Sequence, residues 1–355
     1  MNALRIALIA SARFPIREPF AGGLEAHTWA LARGLIDRGH EVTLFAGPGS
    51  DPALGTAELA VRHPVLSDAA RADVSMAAPE WVAEHHAYLQ LMLDLADPAG
   101  PGFDVIHNNS LHYLPVAMAS AIPAPVLTTL HTPPTPWLES AVQAPRRCPV
   151  TFTAVSSHTA RSWQHVVPRA TVVLNGIDID RWKAGPGGGP LVWSGRITPE
   201  KAPHLAIEAA RAAGEPLLLA GPVSDQGYFD RAVRPLLGPD ARYVGHLPQN
   251  ALAGLVGRAR ATLVTPCWDE PYGLVVAESL ACGTPVCGFA RGALPELIPP
   301  ACGRLVEPGN VAALAEAIPD AVELPRSEIR AHAERECSID SMIDKYQRIY
   351  QTIAS

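Results

Sequence analysis

Short apolar runs alternate with amphipathic stretches from one end of the chain to the other, and this alternation limits the fold more than any other feature. The runs at 4–10, 42–46, 125–130, 191–194 and 217–220 are short and apolar, with polar or amphipathic residues between them. Such runs are typical of strands buried on both faces of a parallel sheet, with the intervening stretches supplying the helices that cover it. The sequence therefore predicts an α/β protein with doubly wound parallel sheets. The region 50–100 is less regular and is expected to hold one strand and one or two helices, and a further helix is expected near 229–236.

The alternation is interrupted once, at the glycine- and proline-rich run 184–190. A run of this composition has few side chains that can pack, which is typical of a linker. The chain has 355 residues, more than one hydrophobic core usually accommodates. We therefore predict a first domain over 1–183, a linker over 184–190, a second domain over 191–337 and an amphipathic terminal helix over 338–355.

Composition and charge exclude several classes of protein. The formal net charge is −7, so a nucleic-acid-binding face rich in Lys and Arg is not expected. No segment approaches the roughly 20 apolar residues of a membrane span, and the first residues lack the pattern of a secretory signal. We expect a cytoplasmic protein without stable membrane insertion. The six cysteines show no CxxC pair, so reduced core thiols are expected rather than disulfides or a metal site.

The segment 265–286, which reads TPCWDEPYGLVVAESLACGTPV, carries the most specific pattern in the chain. We predict a buried strand that ends in a loop containing Glu270. A helix would begin near Gly273 and carry Glu278 in its second turn. Gly273 permits close approach of the backbone to a ligand, and the free amides of a helix N-terminus can bind a phosphate. Spacing alone leaves a second interpretation equally open, in which Glu278 forms a cap or salt bridge and the loop is a simple turn.

This segment resembles the Glu-x7-Glu signature of the family 4 retaining glycosyltransferases, including the run that reads ESLACGTPV here. Four other stretches are similar to the same family. They are the two glycines at 22 and 23, NGID at 175–178, GRITPEK at 195–201 and ARGALPELI at 290–298. The five stretches occur in the family's order and extend over nearly the whole chain. Together they form a specific signal, whereas each one alone is weak.

The resemblance implies the GT-B fold, in which two Rossmann-like domains face each other across a cleft. The acceptor would bind to the first domain and the donor to the second, and the last helix would cross back to the first domain. The implied reaction transfers a sugar from a nucleotide diphosphate to an acceptor hydroxyl with retention of configuration. We favour a UDP-sugar as donor, with a GDP-sugar next, and a small molecule or oligosaccharide as acceptor. No essential metal is expected, and the sequence does not indicate an oligomeric state.

The resemblance also implies roles for residues at the matching positions. Glu278 would bind the ribose hydroxyls of the donor, and Glu270 would bind and orient the transferred sugar. Arg196 and Lys201 would neutralise the diphosphate, because a guanidinium fork and an ammonium both suit phosphate oxygens. The N-terminal glycines would let their loop close over the phosphates, and backbone amides after the signature loop would add donors. These further donor contacts are implied for Gly22, Gly23, Asn175, Tyr272, Gly273 and Leu274.

Two positions depart from the family pattern. His131 matches a cleft histidine near the sugar, but Thr-Pro-Pro follows it where many relatives have an acidic residue. A role in the cleft and simple packing therefore both stay open for His131. The helix after Lys201 opens with Ala202, where the family pattern has glycine.

Other patterns predict local structure rather than chemistry. Asp178 and Asp180 have a spacing used for metals in some transferases, but they follow Asn-Gly and are interpreted as a turn. Ser156 follows an apolar run without a GxSxG elbow, so we interpret it as a helix N-cap with a hydroxyl that could reach the cleft.

Three questions stay open at the level of sequence. The aromatic residues Trp81, Tyr88, Tyr113 and Trp137 could line an acceptor pocket or belong to the core. Retention could proceed by a front-face route or by double displacement. A nucleotide-sugar epimerase of the same architecture, or a non-catalytic sugar-nucleotide-binding protein, would also fit the alternation of elements.

Overall fold

The computed structural model describes residues 3–354, and its first half contains a seven-stranded sheet. The strands are β1 Arg5–Ile9, β2 Glu41–Ala46, β3 Thr56–Glu58, β4 Val105–Asn108, β5 Val126–Leu130, β6 Thr151–Ala154 and β7 Ala170–Val172. All pairings are parallel, in the order β3-β2-β1-β4-β5-β6-β7. The strand order reverses between β1 and β4, which is where open α/β sheets form a ligand crevice.

The second half contains a six-stranded parallel sheet with the same kind of reversal. Its strands are β8 Leu191–Ser194, β9 Leu217–Ala220, β10 Ala241–Tyr243, β11 Thr262–Val264, β12 Val286–Phe289 and β13 Gly303–Val306. Their order is β10-β9-β8-β11-β12-β13, so the switch point lies between β8 and β11. Both sheets therefore confirm the predicted doubly wound α/β class.

The continuous apolar runs locate most strands well, and β8 and β9 begin and end where the sequence predicts. The region 50–100, expected to hold one strand and one or two helices, contains β3 and two helices. The edge strand β13 was not predicted, because three of its four residues are partly exposed and the apolar run is broken by Arg304.

Fourteen α-helical segments within residues 3–354 connect the strands. They are α1 Gly23–Asp37, α2 Asp68–Arg71, α3 Pro79–Ala96, α4 Leu114–Ala117, α5 Pro136–Gln143, α6 Ser157–Trp163, α7 Pro203–Ala212, α8 Gln226–Tyr228, α9 Gln249–Arg258, α10 Leu274–Ala281, α11 Leu294–Leu297, α12 Val311–Val322, α13 Arg326–Glu336 and α14 Ile339–Ile353. None of the helices in this part of the chain is both long enough and apolar enough to cross a bilayer.

The helix predicted near 229–236 is wrong in type. After α8 the chain forms a π-helical turn over Phe229–Val233 and a 3₁₀ turn over Arg234–Leu236. Pro235 has no amide hydrogen and its ring crowds the preceding turn, which disfavours a regular α-helical ladder at this position.

The terminal helix α14 packs against the first half of the chain and completes its core. Met342, Ile343, Tyr346 and Tyr350 are buried in the same apolar cluster as residues of β1 and α1. The two helices come close at Gly34, where a Cβ atom would lie 2.9 Å from Ile343 Cδ1. Because α14 follows the second half in sequence, its packing joins the two halves of the molecule.

The glycine- and proline-rich run 184–190 is packed rather than free. The amide of Gly187 donates to the carbonyl of Gly257 at 3.1 Å, and that of Gly189 donates to the carbonyl of Arg258 at 2.8 Å. A Cβ atom at Gly185 would lie 2.2 Å from the Gly257 oxygen. The glycines are therefore needed for backbone contact with the end of α9, which composition alone did not predict.

The cysteines are free thiols, and four of them are buried as predicted. Cys148 is half-buried, and Cys267 in the signature segment is exposed, so the prediction of a core thiol is wrong there. Cys267 lies in the loop after β11, three residues beyond the last residue of the strand, and is therefore not packed in the sheet.

Candidate active site

A cavity of about 350 Å³ lies between the two halves, next to both switch points. Residues that follow β1 line it from one side, and residues that follow β8 and β11 line it from the other. Ligands of doubly wound sheets bind in such crevices at the carboxyl ends of strands. All the site residues suggested by the sequence lie in its lining: Gly22, Gly23, His131, Asn175, Arg196, Lys201, Glu270, Tyr272, Gly273, Leu274 and Glu278.

Glu278 is a buried carboxylate without a protein partner. It lies on α10 and is 9% exposed. Burial raises the pKa of its carboxyl to about 8. Within residues 3–354 no group of the protein donates a hydrogen bond to this carboxylate. Burying a charge without donors is costly, so this position is suited to a ligand that brings hydroxyl donors of its own.

Glu270 is held by two neighbours in the loop after β11. The Nζ of Lys201 forms an ion pair with its Oε2, and Trp268 Nε1 donates a hydrogen bond to the same oxygen at 3.2 Å. The ammonium also lies 5.2 Å from the centroid of the Trp268 ring, a cation–π distance. The acidic and basic groups thus neutralise each other. The contribution of Trp268 was not predicted from the sequence.

Arg196 lies near two carboxylates, Glu200 and Glu25, and Glu25 was not identified from the sequence. Its guanidinium lies 3.6 Å from Glu200 and remains partly exposed to the cavity. A Cβ atom at Gly22 would lie 3.2 Å from Glu25 Oε2 and 3.9 Å from Arg196 Nε, so both side chains surround that glycine. Burial raises the pKa of Glu25, and the charge of Arg196 opposes this rise. The feature of the sequence that could have identified Glu25 is its position in the first turn of α1, two residues after the glycine pair.

Two helices begin at the cavity and meet there. Gly273, with φ of +98°, precedes the first residue of α10, a backbone conformation that favours glycine. A Cβ atom at Gly23, the first residue of α1, would lie 3.1 Å from Leu274 Cδ1. Both helices therefore direct their free N-terminal amides and positive dipole ends toward the same space, which suits an anionic group.

The signature loop, which belongs to the second half, is anchored by two residues of the first half. The hydroxyl of Tyr272 donates to the carbonyl of Asn175 at 2.6 Å, so this side chain positions the loop. Ser156 Oγ donates to the carbonyl of Pro271 at 2.6 Å. The same hydroxyl accepts from the amide of Thr159 at 3.0 Å, which confirms Ser156 as the N-cap of α6. Asn175 Oδ1 is buried without a partner in the described chain.

His131 lines the cavity and is half-buried. Its Nε2 lies 3.0 Å from Asn109 Oδ1 and therefore carries the donated hydrogen, which leaves Nδ1 as an acceptor. Burial holds the pKa of His131 well below its usual range, so the ring is neutral. His27 stacks edge-on against it at 4.9 Å and is fully buried. Neither nitrogen of His27 has a hydrogen-bond partner within residues 3–354, and the sequence did not single it out.

Asp178 and Asp180 form the predicted turn. The Asp178 carboxylate accepts from the amides of Asp180 at 2.9 Å and Arg181 at 3.1 Å. Among residues 3–354, no group of three His, Cys, Asp or Glu side chains is arranged to hold a metal ion.

The four aromatic residues that the sequence analysis singled out divide into two groups. Tyr88 is fully buried and belongs to the core. Trp81 and Trp137 are 36% and 58% exposed, and Tyr113 contacts Trp137 with a ring-centroid distance of 5.4 Å. Of the two alternatives that the sequence left open, acceptor pocket or core, the core holds for Tyr88, whereas their exposure places Trp81 and Trp137 outside the core.

Two family models match the chain in succession. The model described as Glycosyltransferase Family 4 matches residues 21–181, and the model described as Glycosyl transferases group 1 matches residues 180–336. The chain belongs to the family 4 glycosyltransferases. It is therefore a glycosyltransferase enzyme, rather than the epimerase or non-catalytic protein that the alternation of elements left open.

Curated relatives are similar over most of their length. A glycogen synthase of Mycobacterium tuberculosis (strain CDC 1551 / Oshkosh) is 29% identical, and the match covers 89% of this chain and 86% of that protein. A D-inositol 3-phosphate glycosyltransferase of Kribbella flavida (strain DSM 17836 / JCM 10339 / NBRC 14399) is 27% identical, covering 86% of this chain and 84% of that protein. The relatives of this glycosyltransferase thus include enzymes named for different products.

Solved structures share the fold over the full chain. AviGT4, a glycosyltransferase involved in avilamycin A biosynthesis, superposes with a TM-score of 0.72 at 24% identity, covering 99% of this chain and 98% of that one. Anabaena HepE, solved with UDP-glucose, superposes with a TM-score of 0.76 at 18% identity, covering 98% and 100%. At these identities the likeness concerns architecture, and it identifies the fold of this glycosyltransferase as GT-B.

Proposed function

We propose that this glycosyltransferase moves a sugar from a nucleotide diphosphate donor, a UDP-sugar first and a GDP-sugar next, to an acceptor hydroxyl with retention of configuration. The acceptor is a small molecule or an oligosaccharide. The observation that carries the proposal is Glu278, a buried carboxylate without a protein donor, in the same cavity as the cations Arg196 and Lys201. The two adjacent hydroxyls of a ribose supply the donors that the carboxylate lacks.

The leaving diphosphate is stabilised by fixed positive charge. Arg196 offers a planar fork of donors, and Lys201 a compact ammonium, on the loop between β8 and α7. The amide ends of α1 and α10 add dipoles directed at the same space. We propose that these groups, rather than a bound metal, neutralise the diphosphate as the bond to the sugar breaks.

Glu270 binds the transferred sugar after its ion-pair partner, Lys201, has turned to the diphosphate. When the ammonium of Lys201 turns to a phosphate oxygen, the carboxylate of Glu270 is free to accept hydrogen bonds from hydroxyls of the transferred sugar. We propose a front-face route, in which the bond from C1 to the diphosphate breaks as the bond to the acceptor oxygen forms. The departing phosphate oxygen takes the acceptor's proton, so no protein nucleophile is required. His131, neutral and with a free Nδ1, would accept a further hydroxyl of the sugar.

The relatives support a UDP-sugar as the donor, and their names do not narrow the acceptor to one class of compound. HepE was solved with UDP-glucose, and the curated relatives are named for glycogen and for an inositol phosphate as acceptors or products. Those names fit a nucleotide-sugar site conserved in architecture and an acceptor site that differs among members.

Thermal-shift measurements with UDP, GDP, ADP and TDP test the proposal. A ligand at 100 times its Kd stabilises the folded state by about 2.7 kcal/mol, so UDP should raise the melting temperature measurably. Glu278→Ala should lose most of that shift, whereas Glu316→Ala, on the exposed side of α12, should retain it. A UDP response in Glu278→Ala equal to that of the wild type would refute the proposed nucleotide site. A response to GDP alone would correct the base.

A further inference from the structure

A stack of aromatic rings runs from the core of the first half to its surface. Buried Tyr88 stacks on His112 at 4.3 Å, and His112 stacks on Tyr113 at 4.9 Å. Tyr113 in turn contacts His85 at 6.0 Å and Trp137 at 5.4 Å. We call the outer four rings, Trp81, His85, Tyr113 and Trp137, the aromatic platform.

The rings of the platform pack against one another, and its two tryptophans are exposed. Trp81 stacks on His85 with an interplanar angle of 9° and lies 5.8 Å from Trp137. Trp81 is 36% exposed and Trp137 58% exposed, although both rings have aromatic neighbours on one side. Exposed tryptophans held in fixed positions by their neighbours are unusual outside binding sites.

The platform lies near the cavity that contains Glu270, and neighbouring residues rather than the four rings themselves connect the two. Leu111, which directly precedes His112, lines that cavity, and so does Arg13. The guanidinium of Arg13 lies 3.8 Å from the carboxylate of Glu84, which directly precedes His85 on α3. The hydroxyl of Tyr88 accepts from the amide of Ala12 at 3.1 Å and so fixes the loop after β1 that carries Arg13.

The platform offers no net charge to a ligand. Arg13 and Glu84 offset each other at its border. Burial lowers the pKa of His85, and it lowers the pKa of His112 to about 4, so both rings are neutral near pH 7. A ligand that matches this surface is uncharged, with apolar faces for the rings and hydroxyls for the polar groups at the border.

We propose that the aromatic platform is an acceptor subsite that binds the second and further rings of a neutral oligosaccharide whose terminal hydroxyl lies at Glu270. The proposal rests on the sugar transfer proposed above and assigns its acceptor class. A pyranose ring has an apolar face of C–H groups that stacks on an indole, and its hydroxyls project sideways to groups such as the Tyr113 hydroxyl and the Glu84 carboxylate.

Other occupants match the surface less well. The Trp81 and Trp137 ring centroids are too close to admit a flat aromatic ligand between them, so only the outer faces are available. A phosphorylated acceptor would need cations at the platform, whereas Arg13 is offset by Glu84. The neutral, ring-lined surface therefore favours an oligosaccharide over an apolar aromatic compound and over an anionic acceptor.

The proposal is tested by calorimetric titration of the protein with sugars, carried out in the presence of saturating UDP. The probes are glucose, N-acetylglucosamine and the tetrasaccharides maltotetraose, cellotetraose and chitotetraose. We expect at least one tetrasaccharide to bind ten or more times more tightly than its monosaccharide. The double variant Trp81→Ala, Trp137→Ala should remove that preference and leave the thermal shift with UDP unchanged. Leu93→Ala, an exposed residue of the same helix as Trp81, is the matched control and should behave as the wild type.

The readouts separate the two proposals. If UDP stabilises the wild type but no tetrasaccharide exceeds its monosaccharide, the platform proposal is overturned and the donor proposal stands. Unchanged tetrasaccharide affinity in the double variant also overturns the platform proposal. The same holds if 1-naphthol binds at the tryptophans and no tetrasaccharide binds there. If UDP gives no shift while tetrasaccharide binding depends on both tryptophans, the platform stands and the nucleotide site is wrong.

Discussion

The indole of Trp268 contacts both members of the ion pair at the centre of the site, because its Nε1 donates to Glu270 Oε2 at 3.2 Å while its ring faces the ammonium of Lys201 at 5.2 Å. One side chain therefore orients the group assigned to the sugar and the group assigned to the diphosphate. Neither contact involves the nucleotide moiety, so loss of Trp268 should affect the chemical step more than donor binding.

Trp268→Phe tests this positioning role. The variant keeps a ring and removes the hydrogen bond, and a hydrogen bond to a charged group contributes about 1.5–3 kcal/mol. We expect kcat to fall about 10- to 100-fold, with the UDP thermal shift unchanged. Trp29→Phe, which removes the indole hydrogen bond to Asp51 away from the cavity, is the control and should keep normal turnover. Equal turnover in both variants would mean that Trp268 has no such role.

Glu270→Ala should lower turnover far more than nucleotide affinity. Loss of one group that stabilises the transition state commonly costs about 10²–10³ in kcat. Initial rates with a UDP-sugar, together with titration of UDP, separate the two effects. Normal turnover in this variant would show that the assignment of Glu270 to the sugar is incorrect.

Glu278 should make the stability of the nucleotide-free enzyme depend on pH. Its folded pKa of about 8 lies above its ordinary value of 4.5, so the folded state retains a proton that the unfolded state has lost between these values. The unfolding free energy should therefore fall as pH rises through this window, by up to about 1.4 kcal/mol per pH unit. Urea titrations at pH 5, 6.5 and 8 should show that Glu278→Gln removes this slope, whereas Glu316→Gln preserves it. Parallel curves for Glu278→Gln and the wild type would contradict this account.

The contact between Gly23 and Leu274 predicts sensitivity to side-chain volume. A Cβ atom at Gly23 would lie 3.1 Å from Leu274 Cδ1, so Gly23→Val should push α1 away from α10. We expect kcat/KM to fall at least tenfold, because the two helix N-termini would no longer meet around the diphosphate. Adding Leu274→Ala should restore part of the loss, and Gly254→Ala on α9 should have no effect. If the second substitution restores nothing, the defect lies elsewhere.

The strands were predictable where burial is two-sided. β8 and β9 are continuous apolar runs, and their bounds follow directly from the sequence because only a fully buried strand needs such a run. The edge strand β13 and the π-helical turn at Phe229–Val233 were not predictable, since their local patterns resemble those of other elements. The composition of 184–190 predicted a linker, but the close approach of Gly185 and Gly189 to the backbone of α9 depends on a distant segment and was not predictable.

The sequence by itself determined the alternating α/β architecture and the signature that contains Glu270 and Glu278, because hydrophobic period and motif spacing are local properties. Only the tertiary structure decided which groups surround them. Glu25 of α1 lies near Arg196, and Trp268 of the β11–α10 loop faces Lys201, so both contacts join segments that are far apart in the chain. In the same way, Tyr88 and Trp137 are equally aromatic in the sequence, yet packing buries the first and exposes the second. Long-range packing determines burial and partner choice, and these in turn set the chemistry of a side chain.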